Sequence, residues 1–223
     1  MGNSTEINLD INVKQIQKKK EAFMKKIIVT GFEPFGKEDV NPSWQAVKNA
    51  RVDEKFVSKL LLPVVFAEAF EVLKKEMDSC TPDYVIMFGQ AGGRTDISLE
   101  RIAVNFDDAT IPDNKGNTPF GKIEEQSPYD GLFSSLDIYG IVKMLRDKKI
   151  PASISNSAGN YVCNNLFYRC ASYIRQKSLS VKSGFIHVPY SAEQAAAKAG
   201  VPFMPIDLIT KAVEEIICFH TGS

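Results

Sequence analysis

The chain has no excess of charge of either sign: lysine and arginine together number 27, and aspartate and glutamate 27. Such a surface offers no broad field to nucleic acid or to an anionic membrane, so neither is expected as a partner and a small or neutral molecule is. Long apolar runs are missing too. None approaches the roughly 18 residues of a membrane span, no secretory signal is expected, and the cytoplasm is the expected location. Cysteine is scarce, with four residues at 80, 163, 170 and 218 and no Cys-x-x-Cys pair. In a chain of this size that usage reads as reduced thiols, not a disulfide framework, and it gives a metal site no support. Histidine is scarcer still, with only His187 and His220, the latter close to the C-terminus. No internal repeat is visible.

What is present is a 223-residue chain, 44% hydrophobic, enough to bury the core of one large α/β domain. Residues 1–23 are polar, asparagine-rich and end in a lysine run. They read as an N-terminal extension, left open between a native segment, an upstream start, and a non-native or disordered addition, with the folded domain over 24–223. From Lys26 onward strand-like and helical patterns alternate. Strands are expected at Ile27 to Thr30, Phe56 to Val64, Asp83 to Phe88, Ile97 to Phe106, Ala152 to Ser155 and Gly184 to Val188. Helices are expected at Pro42 to Ala50, Val65 to Met77, Leu136 to Asp147, Leu166 to Ile174 and Ile206 to His220. Asp113 to Asn117 reads as a turn on a surface excursion extending to about Asp130. Such alternation predicts a single-domain three-layer α/β/α sandwich on a mainly parallel, mixed, twisted sheet, with sites gathered beyond the carboxyl ends of strands.

One cysteine stands apart on that frame. Cys163 ends the run Ser-Asn-Ser-Ala-Gly-Asn-Tyr-Val-Cys and opens a helix whose apolar stripe runs through Leu166, Phe167, Cys170, Ala171 and Ile174. A helix N-terminus and a nearby imidazolium both favour thiolate, so the pair of effects is expected to bring this thiol toward neutral pKa, with backbone amides of the turn facing a developing oxyanion. The plainer reading is an inert buried thiol, and Cys80, Cys170 and Cys218 are left with it. If Cys163 needs an imidazole, His187, at the end of an apolar strand before Pro189, is almost forced. An acid to orient that imidazole stays open between Glu100, Asp96, Asp107 and Asp108.

Several separated segments carry a likeness: Thr30-Gly-Phe-Glu-Pro-Phe-Gly36, Val40-Asn-Pro-Ser-Trp44, Phe88-Gly-Gln-Ala-Gly-Gly-Arg94, Glu100-Arg-Ile-Ala, Ile111-Pro-Asp-Asn114, Ser157-Ala-Gly with Val162-Cys-Asn, and Gly184-Phe-Ile-His-Val-Pro-Tyr190. In this order, from Met24 to the C-terminus, the chain resembles the pyroglutamyl peptidase I family. The resemblance implies a triad of Cys163, His187 and Glu100 in a catalytic domain over 24–223. It also implies a cytosolic exopeptidase without cofactor or metal, usually a homotetramer, that cleaves after an N-terminal pyroglutamyl residue through a thioester and releases 5-oxoproline. A flat, uncharged lactam needs apolar walls and a few fixed hydrogen bonds. The resemblance sets Phe32 and Phe35 against the ring and Gln90 in the pocket, with Asn41 supporting the loop.

Three positions depart from the family pattern. Lys37 stands where a second glycine is common, Asn165 where a histidine is expected, and Thr110 where many members carry an arginine near the active site. If that arginine helps polarise the substrate, Arg94 or Arg101 is expected to substitute, or turnover to be slower. A class I glutamine amidotransferase is the competing enzyme reading, but its His-x-Glu pattern is absent because Val188 and Pro189 follow His187. A redox sensor needs a resolving cysteine near Cys163, and Cys170 falls two helical turns away on the core stripe.

Overall fold

Short runs of β-branched and aliphatic residues alternate here with amphipathic stretches too long for strands, and the computed structural model, which describes residues 24–221, arranges them accordingly. In chain order the elements are β1 (Ile27–Phe32), α1 (Pro42–Asn49), β2 (Val57–Leu62), α2 (Glu68–Cys80), β3 (Tyr84–Gln90) and β4 (Ile97–Glu100). Four short strands follow: β5 (Ile102–Val104), β6 (Asp107–Asp108), β7 (Phe120–Gly121) and β8 (Gly131–Phe133). The chain then forms α3 (Ile138–Asp147), β9 (Ala152–Ser155), α4 (Val162–Gln176), β10 (Lys182–Val188), α5 (Ala192–Ala196) and α6 (Ile206–Thr221). The extension expected over residues 1–23 lies outside the described residues.

Six strands make the central sheet in the order β2-β1-β3-β10-β4-β9. All neighbours run parallel except β10 and β4, which are antiparallel. The sheet is therefore mixed and mainly parallel. Alternate side chains of each strand enter opposite faces. Val29, Ile86, Phe88 and Val188 pack with α1, α3 and α6, whereas Ile28, Val85, Met87 and Phe185 pack with α2 and α4. These two apolar layers make the α/β/α sandwich expected from the sequence.

The single strand expected over 97–106 is two strands in different sheets. The chain bends at Arg101, whose N–H donates to Ser155 O at 2.8 Å and whose carbonyl accepts from Ser134 N at 2.9 Å. β5 then pairs with β8 instead of continuing in the main sheet. Local alternation persists across the bend, so periodicity alone does not reveal it. The turn at Asp113 is present: Asp113 Oδ1 accepts from Lys115 N and Asn117 N, both at 2.9 Å. Helix α2 starts three residues later than expected, and α4 starts at Val162, next to the start near Cys163 that the sequence suggests, with Cys163 in its first turn.

Candidate active site

The antiparallel junction of β4 and β10 brings an acid to an imidazole. His187 lies opposite Ser98, and Glu100, two residues further on, returns to the same face of the sheet. The two side chains meet diagonally, His187 Nδ1 standing 2.7 Å from Glu100 Oε1 in a buried contact. Phe185, two residues before His187 and on the same face, packs against the imidazole with ring centroids 4.8 Å apart. The carboxylate fixes the tautomer: Nδ1 carries the proton donated to Glu100, and Nε2 is left as the base.

On the other side of His187 its register partner is Gly89. A Cβ built on Gly89 would stand 2.9 Å from Cys163 Sγ and 2.7 Å from Phe185 Cζ, so the thiol occupies the space that a side chain would take. The first turn of α4 thus lays the thiol against the strand neighbour of His187. Tyr161 precedes this helix in extended conformation and supplies no side-chain cap to its first-turn N–H groups.

Electrostatics in the resting site differ from the expectation of a thiol near neutrality. Burial among protein atoms pushes Cys163 up to about 12, and the Glu100 charge adds to the rise, while Arg94 and the backbone N–H act the other way. Part of the residue still faces the pocket. Burial also lowers His187 below its ordinary value, against the opposing pull of Glu100 and with a further push from Arg94. Burial therefore opposes the charged form of both the thiol and the imidazole in the resting site.

Beside the thiol lies a narrow pocket of about 270 Å³, open space at its mouth included, lined by Phe32, Phe35, Asn41, Gln90, Tyr161 and Cys163 among others. Phe32 is buried and stacks toward Phe185, whereas Phe35 is half-buried and leans on Tyr161 at 6.2 Å. Asn41 caps α1: its Oδ1 accepts from Ser43 N at 3.1 Å and its Nδ2 donates to Glu33 O at 3.0 Å. That pair of bonds ties down the segment carrying Phe35. Gln90, at the end of β3, is nearly buried and its Oε1 accepts from Gln194 Nε2 at 2.9 Å.

The sites left open in the sequence separate clearly. Asp96 accepts from the Ser98 hydroxyl, Asp108 is exposed, and Asp107 accepts from Asn165 Nδ2 at 2.7 Å. Only Glu100 of the four contacts His187 among the described residues. Asn165 does not reach toward the thiol; it joins Asp107 to Arg169 and to the backbone N–H of Ala67. Lys37 is exposed in a turn, and Thr110 is exposed. Arg101 is engaged by Asn156 and Tyr139. Arg94 lies 3.0 Å from Glu100 Oε1, sharing the oxygen that His187 uses. The sequence offered Arg94 as a stand-in for the arginine missing at Thr110; its pairing with Glu100 is what the sequence did not indicate. Tyr161 was missed as well, although its aromatic ring immediately before Val162-Cys163 was the available signal.

No group of three or more histidine, cysteine or acidic side chains placed to hold a metal occurs among the described residues. Cys80, Cys163 and Cys170 are free thiols, and Cys170 is fully buried.

Comparison with known proteins points the same way as the geometry. A pyroglutamyl peptidase family model matches residues 25–220. The chain is 47% identical over 194 residues to the pyrrolidone-carboxylate peptidase of Brachyspira hyodysenteriae, covering 86% of this chain and 96% of that protein. It is 48% identical over 195 residues to that of Brevibacillus brevis, covering 86% and 90%. The crystal structure of pyroglutamyl peptidase I from Bacillus amyloliquefaciens superposes with a TM-score of 0.85 at 39% identity, covering 89% of this chain and 98% of that one. A variant pyrrolidone carboxyl peptidase from Pyrococcus furiosus gives 0.82 at 41%, covering 89% and 99%.

Proposed function

The chain belongs to the pyroglutamyl peptidase family, and from that premise we propose that Cys163, His187 and Glu100 perform the chemistry, with Phe32, Phe35, Gln90 and Asn41 forming the substrate pocket. The protein is a cysteine peptidase that hydrolyses the amide bond after an N-terminal pyroglutamyl residue. The observation that carries the residue assignment is the 2.7 Å contact of His187 Nδ1 with Glu100, made beside the glycine against which Cys163 Sγ rests.

Burial, which opposes charge on both groups, sets the order of events. When the pyroglutamyl carbonyl reaches the sulfur, His187 Nε2 takes the thiol proton as the S–C bond forms, so charge appears only while it is being used. Glu100 stabilises the imidazolium created. In this reading first-turn N–H groups of α4 receive the developing oxyanion, a contribution worth about 2.7–4 kcal/mol per donor in measured enzymes. The imidazolium gives its proton to the departing amine and a thioester remains. Water then attacks the thioester carbonyl and gives a proton to His187, which passes it to the sulfur as the C–S bond breaks, releasing 5-oxoproline and the free thiol.

The pocket suits a neutral ring. Phe32 and Phe35 supply apolar walls, and Gln90 supplies a neutral polar contact where a carboxylate-bearing side chain would need a cation. Reduced protein is expected to turn over a fluorogenic pyroglutamyl amide and to leave the prolyl and glutamyl amides of the same fluorophore nearly untouched. Equal rates on all three would overturn the assignment of the pocket.

The same reading extends to a cytoplasmic homotetramer. Among the described residues no helix is long and apolar enough to cross a membrane. Phe120, Phe133 and Tyr139 expose apolar surface of the kind that subunits cover. Sedimentation equilibrium is expected to give a four-chain mass, and a monomer at micromolar concentration would contradict it.

A further inference from the structure

The pocket beside the thiol takes its walls from separate stretches of chain, Phe32 and Phe35 at the end of β1, Val64 after β2, and Tyr161 before α4. One surface turn is bonded to all three. Pro112 O accepts from the Tyr161 hydroxyl at 3.0 Å, and Asn114 N donates to Val64 O at 3.0 Å. Between them Asp113 Oδ2 accepts at 3.0 Å from the N–H of Phe66, whose ring meets Tyr161 edge-on at 5.3 Å. The Asn114 carboxamide completes the set: its Nδ2 donates to Glu33 Oε1 at 2.8 Å and, at 2.9 Å, to the carbonyl of Pro34, the residue before Phe35. Both partners are acceptors only, so the nitrogen is the end of the amide that must face them. Glu33 joins two walls in its own right. Its Oε1 also accepts from Val64 N at 3.1 Å, and its N–H donates to Leu62 O at 3.0 Å. Asn114 is thus exposed and outside the pocket lining, yet it stands where the Phe35 segment and the Val64 segment are fastened together.

We infer that Asn114 is a positioning residue for substrate binding: paired with Glu33, it clasps the Phe35 segment to Val64 and so sets the width of the pocket that receives the lactam ring. The inference rests on the pocket proposed above. A flat ring between apolar walls is held by contacts that fall off steeply, a gap of about 0.5–1 Å forfeiting roughly a quarter to a half of each. Release of the clasp therefore weakens binding of the ring. It leaves the chemistry in place, because neither Asn114 nor Glu33 is bonded to Cys163, His187 or Glu100.

The test is Asn114→Asp, a substitution of the same shape that exchanges both donors for a carboxylate facing the Glu33 carboxylate and the Pro34 carbonyl. Two quantities are read: kcat on a pyroglutamyl amide, and the inhibition constant of 2-pyrrolidone, the bare five-membered lactam, which reports binding in the pocket without chemistry. The inhibition constant is expected to rise about tenfold, with kcat within about twofold of the wild type. Adding Glu33→Gln returns a donor to the new carboxylate and keeps an oxygen for Val64 N. The double variant is therefore expected to bind the lactam within about threefold of the wild type, because the two residues act as one unit. An unchanged inhibition constant in Asn114→Asp would overturn the inference, and so would a double variant that binds no better than the single one. A lower kcat and melting temperature with lactam binding intact would overturn it as well, since that is the mark of a purely structural role. A wild type that turns over the amide but is not inhibited by the lactam is a different outcome: it would remove the pocket reading itself, and the inference with it.

Discussion

Glu100 Oε1 serves two partners at once, His187 at 2.7 Å and Arg94 at 3.0 Å, while Glu100 Oε2 is buried without a hydrogen bond among the described residues. A buried carboxylate facing a neutral imidazole alone would be poorly compensated, and the Arg94 guanidinium supplies the missing charge. The same cation acts against protonation of His187. Because His187 must be neutral to accept the thiol proton, the acid limb of kcat/KM is expected below the ordinary histidine value of 6.5. Arg94→Gln removes one of the causes that lower His187, so its pKa rises and the limb moves to higher pH. The pH dependence of kcat/KM on a pyroglutamyl amide measures this directly, and a limb that stays in place or moves to lower pH would contradict the role given to Arg94.

At the scale of elements, the site is a product of sheet register. β3, β10 and β4 lie side by side, and Gly89, His187 and Glu100 present one face, over which α4 sets the thiol. Gly89→Ala would drive a methyl group into Cys163 Sγ and Phe185. Displacement of the thiol by a fraction of an ångström is expected to lower kcat about a hundredfold while KM changes little. Near-normal kcat in a folded Gly89→Ala protein would show that the thiol does not need this seat. Much of the arrangement was legible beforehand. Cys163 at a helix start and His187 at a strand end follow from flanking glycine, polar residues and proline, and the α/β order follows from alternating periods. The choice of Glu100 over Asp96, Asp107 and Asp108 did not follow from the residues themselves, because an antiparallel pairing between strands 87 residues apart leaves no local trace. Arg94 was legible only as a stand-in for a missing arginine; that its guanidinium turns to Glu100 depends on the conformation of the loop before β4. The Gln194 contact left half a signal, since Ser191-x-x-Gln194 is a capping-box pattern, but its reach to Gln90 across 104 residues is tertiary.

For the molecule as a whole, stability has a pH term away from the site. Burial raises Asp107 to about 6, although Asn165 and Arg169 both favour its charged form. A raised carboxyl keeps its proton in the folded state at pH values where the unfolded chain has already lost it. Its contribution to stability therefore falls as pH rises from about 4 to 6 and is gone above that window. Asp107→Asn removes the ionisation and keeps an oxygen for Asn165. Its melting temperature is expected to match the wild type near pH 4 and to exceed it at pH 8 by about 2–4 °C, after allowing for partial solvation. A variant less stable than the wild type at pH 8 would contradict this. That term is separate from catalysis, which rests on one face of the sheet and the helix that crosses it. The central claim is that Cys163 is the nucleophile of a pyroglutamyl peptidase. The most direct measurement is the initial rate on a pyroglutamyl amide for reduced wild type and for Cys163→Ser, at equal concentration and with matched circular dichroism. The account predicts ready turnover by the wild type and a loss of at least about a thousandfold in Cys163→Ser; near-normal turnover by the serine variant, or none by the wild type, would contradict it.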